Sequence, residues 1–146
     1  MYLSRSAEYA LRTAACLARQ TAGIRRRAKD LAPLVGVPRP FLSKILRRLT
    51  AAGLLTSQKG HGGGLALARA AGDIRFVDVL RAVDFVPTAD HCLFGWENCN
   101  EENPCPLHPE WAVLKEAIEE WARTRTLADI QRGERSFFED GGASGP

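Results

Sequence analysis

PRPFLSKILRRLTAAGLLTSQKGHGGGLALAR, residues 38–69, is the stretch on which the fold turns. Its first half carries apolar side chains at helical spacing: Phe41, Leu42, Ile45, Leu46 and Leu49 make one inward stripe. Arg39, Ser43, Lys44, Arg47 and Arg48 occupy the other faces. Pro40 suits the first turn, where its missing N–H is no loss, and Gly53 suits the position just past the end. LLTSQ, KGHGGG and LALAR then read as two short strands around a glycine-rich turn. KGHGGG has neither the closing lysine and hydroxyl residue of a P-loop nor a helix behind it, so it is a poor nucleotide loop.

On the N-terminal side, SRSAEYALRTAACLARQ reads as an amphipathic helix capped by Ser4. Ala7, Ala10, Leu11, Ala14, Leu17 and Ala18 form its buried stripe, with Cys16 beside them as a small core residue. AKDLAPLVGV follows as a short helix ending at Gly36, with Pro33 as a candidate kink. Helix, short helix, helix and hairpin is the order of a winged helix-turn-helix. VGVPRP would cross two helices so that the second enters a major groove about 12 Å wide. Arg39, Ser43 and Lys44 are then the candidate base readers, with Arg47 on the same helix. Lys59 and His61 on the hairpin would touch phosphate or the minor groove. The expected class is mainly α with a small β-hairpin wing and a long C-terminal dimerisation helix.

Bulk properties agree with a DNA-binding role. A chain of 146 residues, 45% hydrophobic and 25% charged, suits one domain or one small domain with an appendage. No run approaches a membrane span, and Arg5, Glu8, Arg12 and Arg19 make the start too charged for a secretory signal. A reducing cytoplasm is the expected location. The net charge of +3 conceals an asymmetry: residues 1–70 hold 13 Lys or Arg against two acids, and residues 71–146 hold seven against 15. A basic half beside an acidic one suggests a polyanion partner, more than two solvated faces that merely differ in sign.

Beyond the hairpin, FVDVLRAVD makes another short helix. PEWAVLKEAIEEWARTR is a helix opened by Pro109, with Trp111, Leu114, Ile118 and Trp121 as its stripe. Only the first helix or the same helix of a second subunit is left to cover that stripe. A homodimer is expected over burial of the stripe within one monomer, and DNA-reading helices commonly work in pairs on two half-sites of a pseudo-palindromic operator. Thr126 caps a last turn, and EDGGASGP has the composition of a disordered tail. The expected organisation is a winged helix-turn-helix at 1–85, a cysteine-rich loop at 86–108, the dimerisation helix and a short terminal helix at 109–138, and the tail at 139–146.

The loop HCLFGWENCNEENPCPLH, residues 91–108, places Cys92, Cys99 and Cys105 with His108 just beyond. Three thiols and an imidazole have the softness to hold zinc, copper or an iron–sulfur cluster. The intervals of six, five and two residues are wider than the usual zinc knuckle, leaving room for a larger inorganic unit. His108 can turn back towards Cys105. Spacing alone leaves cluster, zinc and unligated redox-active thiols all open.

From Met1 to about Ile130 the chain resembles the winged-helix iron–sulfur transcriptional regulators of the family of IscR and NsrR. The match rests on MYLSRSAEYALR, KGHGGGLALA, DVLRAVD and the three-cysteine loop ending CPLH. The resemblance implies a dimeric transcription factor, not an enzyme, whose cluster governs operator binding in response to iron–sulfur status, redox state or nitric oxide. Cys92, Cys99 and Cys105 match the family's cysteine ligands. His108 matches the fourth ligand of the 2Fe–2S members and is preferred. Glu8 of the other subunit stands where the 4Fe–4S members use an aspartate. His61 stands where many relatives carry arginine. A zinc-structured or metal-free thiol-switch repressor is the alternative within DNA binding, and an iron–sulfur electron carrier is the alternative outside it. The carrier leaves the basic half unexplained.

Overall fold

The computed structural model describes residues 3–21, 23–85 and 92–132. In order these form α1 (Arg5–Arg19), α2 (Ala28–Val35), α3 (Arg39–Ala51), β1 (Leu55–Gln58), β2 (Gly64–Leu67), α4 (Phe76–Ala82), α5 (His108–Thr124) and α6 (Leu127–Gln131), with a 3-10 turn at Ala71–Asp73 before α4. The expected tail at 139–146 lies outside the described residues.

The central helix is α1, and its composition explains why. Ser4 Oγ accepts from the Ala7 N–H at 3.2 Å and starts the helix. Ala7, Ala10, Ala14 and Ala18 are buried small residues, so neighbouring helices approach closely. α2, α3, α4 and α6 all pack on it. Cys16 is a core residue, as expected, and burial pushes its thiol pKa up against a partial offset from Arg26.

Gly36 ends α2 in the left-handed region at φ 65°, and the Arg12 guanidinium donates to the Val35 carbonyl at 3.1 Å across the same end. Pro33 lies inside α2, which continues to Val35. The following turn delivers α3 with Leu42, Ile45, Leu46 and Leu49 buried. Phe41 departs from the expected stripe: it is 46% exposed and meets Tyr9 edge-on, with ring centroids 6.1 Å apart. At roughly 100° per residue it sits about a quarter-turn from the centre of the other four, at the rim of the core.

The wing is the expected antiparallel hairpin, with Leu55 opposite Leu67 and Gln58 opposite Gly64. Its glycines are structural. A Cβ on Gly63 would meet the Gln58 carbonyl oxygen at 2.3 Å, and one on Gly64 would meet the Arg26 backbone at 2.7 Å. Arg26 pairs with Leu65 through two backbone hydrogen bonds of 3.1 and 2.8 Å.

α5 rests on α4, not on α1: Phe76 and Trp121 meet edge-to-face with centroids 5.0 Å apart. Of the expected stripe, Trp111 and Ile118 are half-buried while Leu114 and Trp121 are exposed; Ala122 is the helix's buried residue. Past α5 the chain returns to the head. Phe76 N–H donates to the Arg125 carbonyl at 2.9 Å and Leu127 N–H to the Ile74 carbonyl at 3.0 Å. Gln131 Nε2 reaches the Ala18 carbonyl at 2.7 Å. Among the described residues no helix is long and apolar enough to cross a membrane.

Candidate nucleic-acid interface and metal centre

Burying Leu42, Ile45, Leu46 and Leu49 leaves the opposite side of α3 to solvent. Arg39, Ser43, Lys44 and Arg47 are all exposed there, and Lys59 and His61 are exposed at the wing tip. Arg47 forms no hydrogen bond or ion pair among the described residues. Arg48 differs, since its guanidinium lies 3.3 Å from the Asp84 carboxylate and so turns towards the end of α4.

Sequence reasoning missed the role of the run Arg25–Arg26–Arg27. Arg25 donates to the Thr56 and Gly64 carbonyls, each at 3.2 Å, and to Thr56 Oγ1 at 3.1 Å. Arg27 donates to the Gly60 carbonyl at 2.8 Å. A basic run before a glycine hairpin therefore braces the wing. The sequence carries no local signal for this, since the carbonyls these side chains reach lie more than 30 residues along the chain.

The cysteine loop brings its three thiols together. The Sγ atoms of Cys92, Cys99 and Cys105 all lie within 4.8 Å of one another, with Cys92 and Cys105 at 3.7 Å. Cys92 and Cys105 are buried and Cys99 is half-buried. The loop is built from local backbone bonds. Asn100 Oδ1 accepts from the Glu102 and Asn103 N–H groups, both at 2.8 Å, and Asn98 adopts φ 54°. The Cys105 N–H points at Cys99 Sγ, 3.4 Å away.

His108 joins the site differently from the expectation. Its backbone N–H donates to the Cys105 carbonyl at 3.0 Å, but its ring meets Cys99, with Nδ1 3.2 Å from Sγ. It is also the first residue of α5, so Pro109 is the second. Glu8 lies half-buried in the first turn of α1, outside the thiol group within its own chain.

The thiols are electrostatically unequal. Burial pushes Cys92 up, but the backbone N–H groups of Trp96 and Phe94 and the thiols of Cys105 and Cys99 outweigh it, and the net shift is down. Burial pushes Cys105 up, the Leu107 N–H only partly offsets this, and Cys92 and Cys99 add to the rise. Of these two thiols, Cys92 is therefore the more readily ionised.

Known proteins share this fold. The chain is 34% identical over 101 residues to the HTH-type transcriptional regulator IscR of Yersinia pseudotuberculosis, spanning 69% of this chain and 61% of that one. The structure of T. potens IscR superposes with a TM-score of 0.70 at 25% identity, covering 89% of this chain and 85% of that one. CymR, the global cysteine regulator of B. subtilis, has the same fold, with a TM-score of 0.75 at 21% identity over 90% of this chain and 96% of that one. The matched family and its members are transcriptional regulators rather than enzymes. With residues 3–133 matching its pattern, the chain belongs to the Rrf2 family of iron-dependent transcriptional regulators.

Proposed function

We propose that this regulator binds a pseudo-palindromic operator as a homodimer and that an iron–sulfur cluster on Cys92, Cys99, Cys105 and His108 sets its operator affinity. The observation that carries the reading is the pairing of donors: Cys92 with Cys105 at 3.7 Å and Cys99 with His108 at 3.2 Å. A tetrahedral metal with bonds of about 2.0–2.3 Å has ligand–ligand edges of roughly 3.3–3.8 Å. Each iron of a 2Fe–2S unit takes two outside ligands, so two such pairs meet its ligand count. Bound there, the cluster would supply a centre sensitive to oxidation, iron supply and nitric oxide. Glu8 of a second subunit remains the alternative fourth donor.

The chain's own residues supply the coupling. His108 is at once a donor and the first residue of α5, so rearranging the donors moves the start of that helix. Trp121 of α5 bears on Phe76 of α4, and Asp84 just past α4 bears on Arg48 of α3. In this division of labour, residues 1–85 grip DNA, 86–108 hold the cluster and 109–138 pair the subunits. Arg39, Ser43 and Lys44 read bases, while Arg47, Lys59 and His61 contact the backbone. The exposed Val113, Leu114 and Trp121 are the pairing face of α5. A coupling of about 1–3 kcal/mol between cluster and operator corresponds to a 5- to 150-fold change in affinity.

A single tetrahedral zinc ion is the second reading, because three Sγ atoms within 4.8 Å also suit one ion. Anaerobic isolation followed by a visible spectrum and iron, sulfide and zinc assays decides between them. A coloured protein with equal iron and sulfide supports the cluster; a colourless one with one zinc per chain supports zinc. Operator affinity that is the same with and without iron overturns the regulatory reading.

A further inference from the structure

One polar atom beside the thiols lacks a partner. His108 Nε2 is shut off from solvent and forms no hydrogen bond among the described residues, and the side chain as a whole is only 13% exposed. The other ring nitrogen, Nδ1, faces Cys99 Sγ. A neutral imidazole carries its proton on one nitrogen, so a ring offering Nδ1 to a metal carries N–H at Nε2. A buried N–H without an acceptor is costly, and an acceptor would also fix which nitrogen faces the metal.

A carboxylate stands at the right place. Glu101 Oε1 is 3.8 Å from Nε2, and its side chain is exposed. The backbone beneath it is held on both sides. Asn100 Oδ1 pins the Glu102 and Asn103 N–H groups, and Asn103 Nδ2 donates to the Asn98 carbonyl at 3.4 Å. Glu101 is thus presented at the crest of a fixed turn, opposite the ring.

We propose that Glu101 is the positioning residue for His108, accepting from Nε2–H so that Nδ1 is held towards the thiols. This rests on His108 being the fourth ligand, as read above. The carboxylate acts through the imidazole, making it a stronger donor and stabilising the more oxidised metal.

Chelator competition and an optical redox titration on anaerobically reconstituted protein test the assignment. Glu101→Ala is expected to weaken iron retention by about 10- to 100-fold and to raise the reduction potential. Glu101→Gln, which keeps an acceptor without the charge, should fall between it and the parent. Glu102→Ala, an adjacent acid on the same turn, should match the parent in both readouts. In a His108→Cys background, which has no Nε2–H, Glu101→Ala should shift the potential no more than Glu102→Ala does. If the parent takes up no iron, the cluster reading falls and this inference with it. If the parent holds iron and Glu101→Ala retains it equally at an unchanged potential, the inference alone is overturned. An equal effect in the His108→Cys background overturns it as well.

Discussion

Between α1 and α4 the chain buries Leu17, Leu31, Leu42, Leu49, Ile74 and Leu80 almost completely, whereas between Cys92 and Trp121 only Cys92 and Cys105 are buried among the described residues. In that second region Leu93, Phe94, Trp96, Leu107, Val113 and Leu114 are exposed. Apolar burial at about 25 cal/mol per Å² holds the head together without help. The loop and most of α5 lack that source of stability, and what they bury instead is sulfur. A segment built this way has little apolar burial of its own to keep it ordered.

The comparison breaks most visibly at the head. Leu80 is fully buried in α4, between α1 and α5, so Leu80→Ala leaves a cavity. The expected cost is about 2–5 kcal/mol. It should appear as a lower urea midpoint with an unchanged slope. A cost below about 1 kcal/mol would mean that the core is not what holds the head.

Cys105→Ser sharpens the contrast from the other side. In metal-free protein it should cost about 1 kcal/mol or less, since it swaps one small side chain for another. In iron-loaded protein it should abolish iron retention and, with it, the 5- to 150-fold dependence of operator affinity on iron. Unfolding of the head and operator binding by fluorescence anisotropy read the two effects separately. Equal damage to both would show that the triad is a structural part of the head.

Within the head, exposed and engaged cations should also behave differently. Arg47→Ala should lower the slope of log affinity against log salt by about 1 without moving the urea midpoint. Arg48 is held by Asp84 and should contribute less to that slope. Equal slopes for the two variants would place the DNA-facing side of α3 elsewhere.

Legibility in the sequence follows the same division. The helix of residues 39–51, the wing and the glycine stops at 36 and 53 were readable, because local periodicity and backbone chemistry decide them. Phe41 was misplaced because a stripe's rim and its centre look alike in one dimension. Arg25 and Arg27 read simply as charge, since hydrogen bonds to wing carbonyls 31 and 33 residues away leave no trace in local pattern. The grouping of Cys92, Cys99 and Cys105 was readable from residue type and spacing, but the place of His108 beside Cys99 was not. His108 meets Cys99 rather than Cys105 because an Asn100-centred turn folds the middle of the loop back on itself. The stripe of α5 was legible as apolar, yet the contact of Trp121 with Phe76 on α4 is set by tertiary packing.

The smallest effect lies where the two regions rejoin. Asp129 accepts from the Thr126 N–H at 2.9 Å and closes the turn that ties the end of α5 to α4, where Arg75 pairs with Thr126. Its pKa lies below the ordinary 3.8, chiefly through that backbone N–H, against some desolvation and with help from Arg132 and Arg125. A folded pKa below the unfolded one means that the carboxylate stabilises the fold above the unfolded value, and that this is lost as pH falls through the folded value. Asp129→Asn keeps an acceptor but not the charge. Its stability deficit should therefore be full near neutral pH, shrink below about pH 4, and vanish in stronger acid. Urea midpoints taken from pH 7 down to pH 3 measure this. A deficit that stays constant across that range would mean that the turn is closed by hydrogen bonding alone, and that charge plays no part in joining α5 to the head.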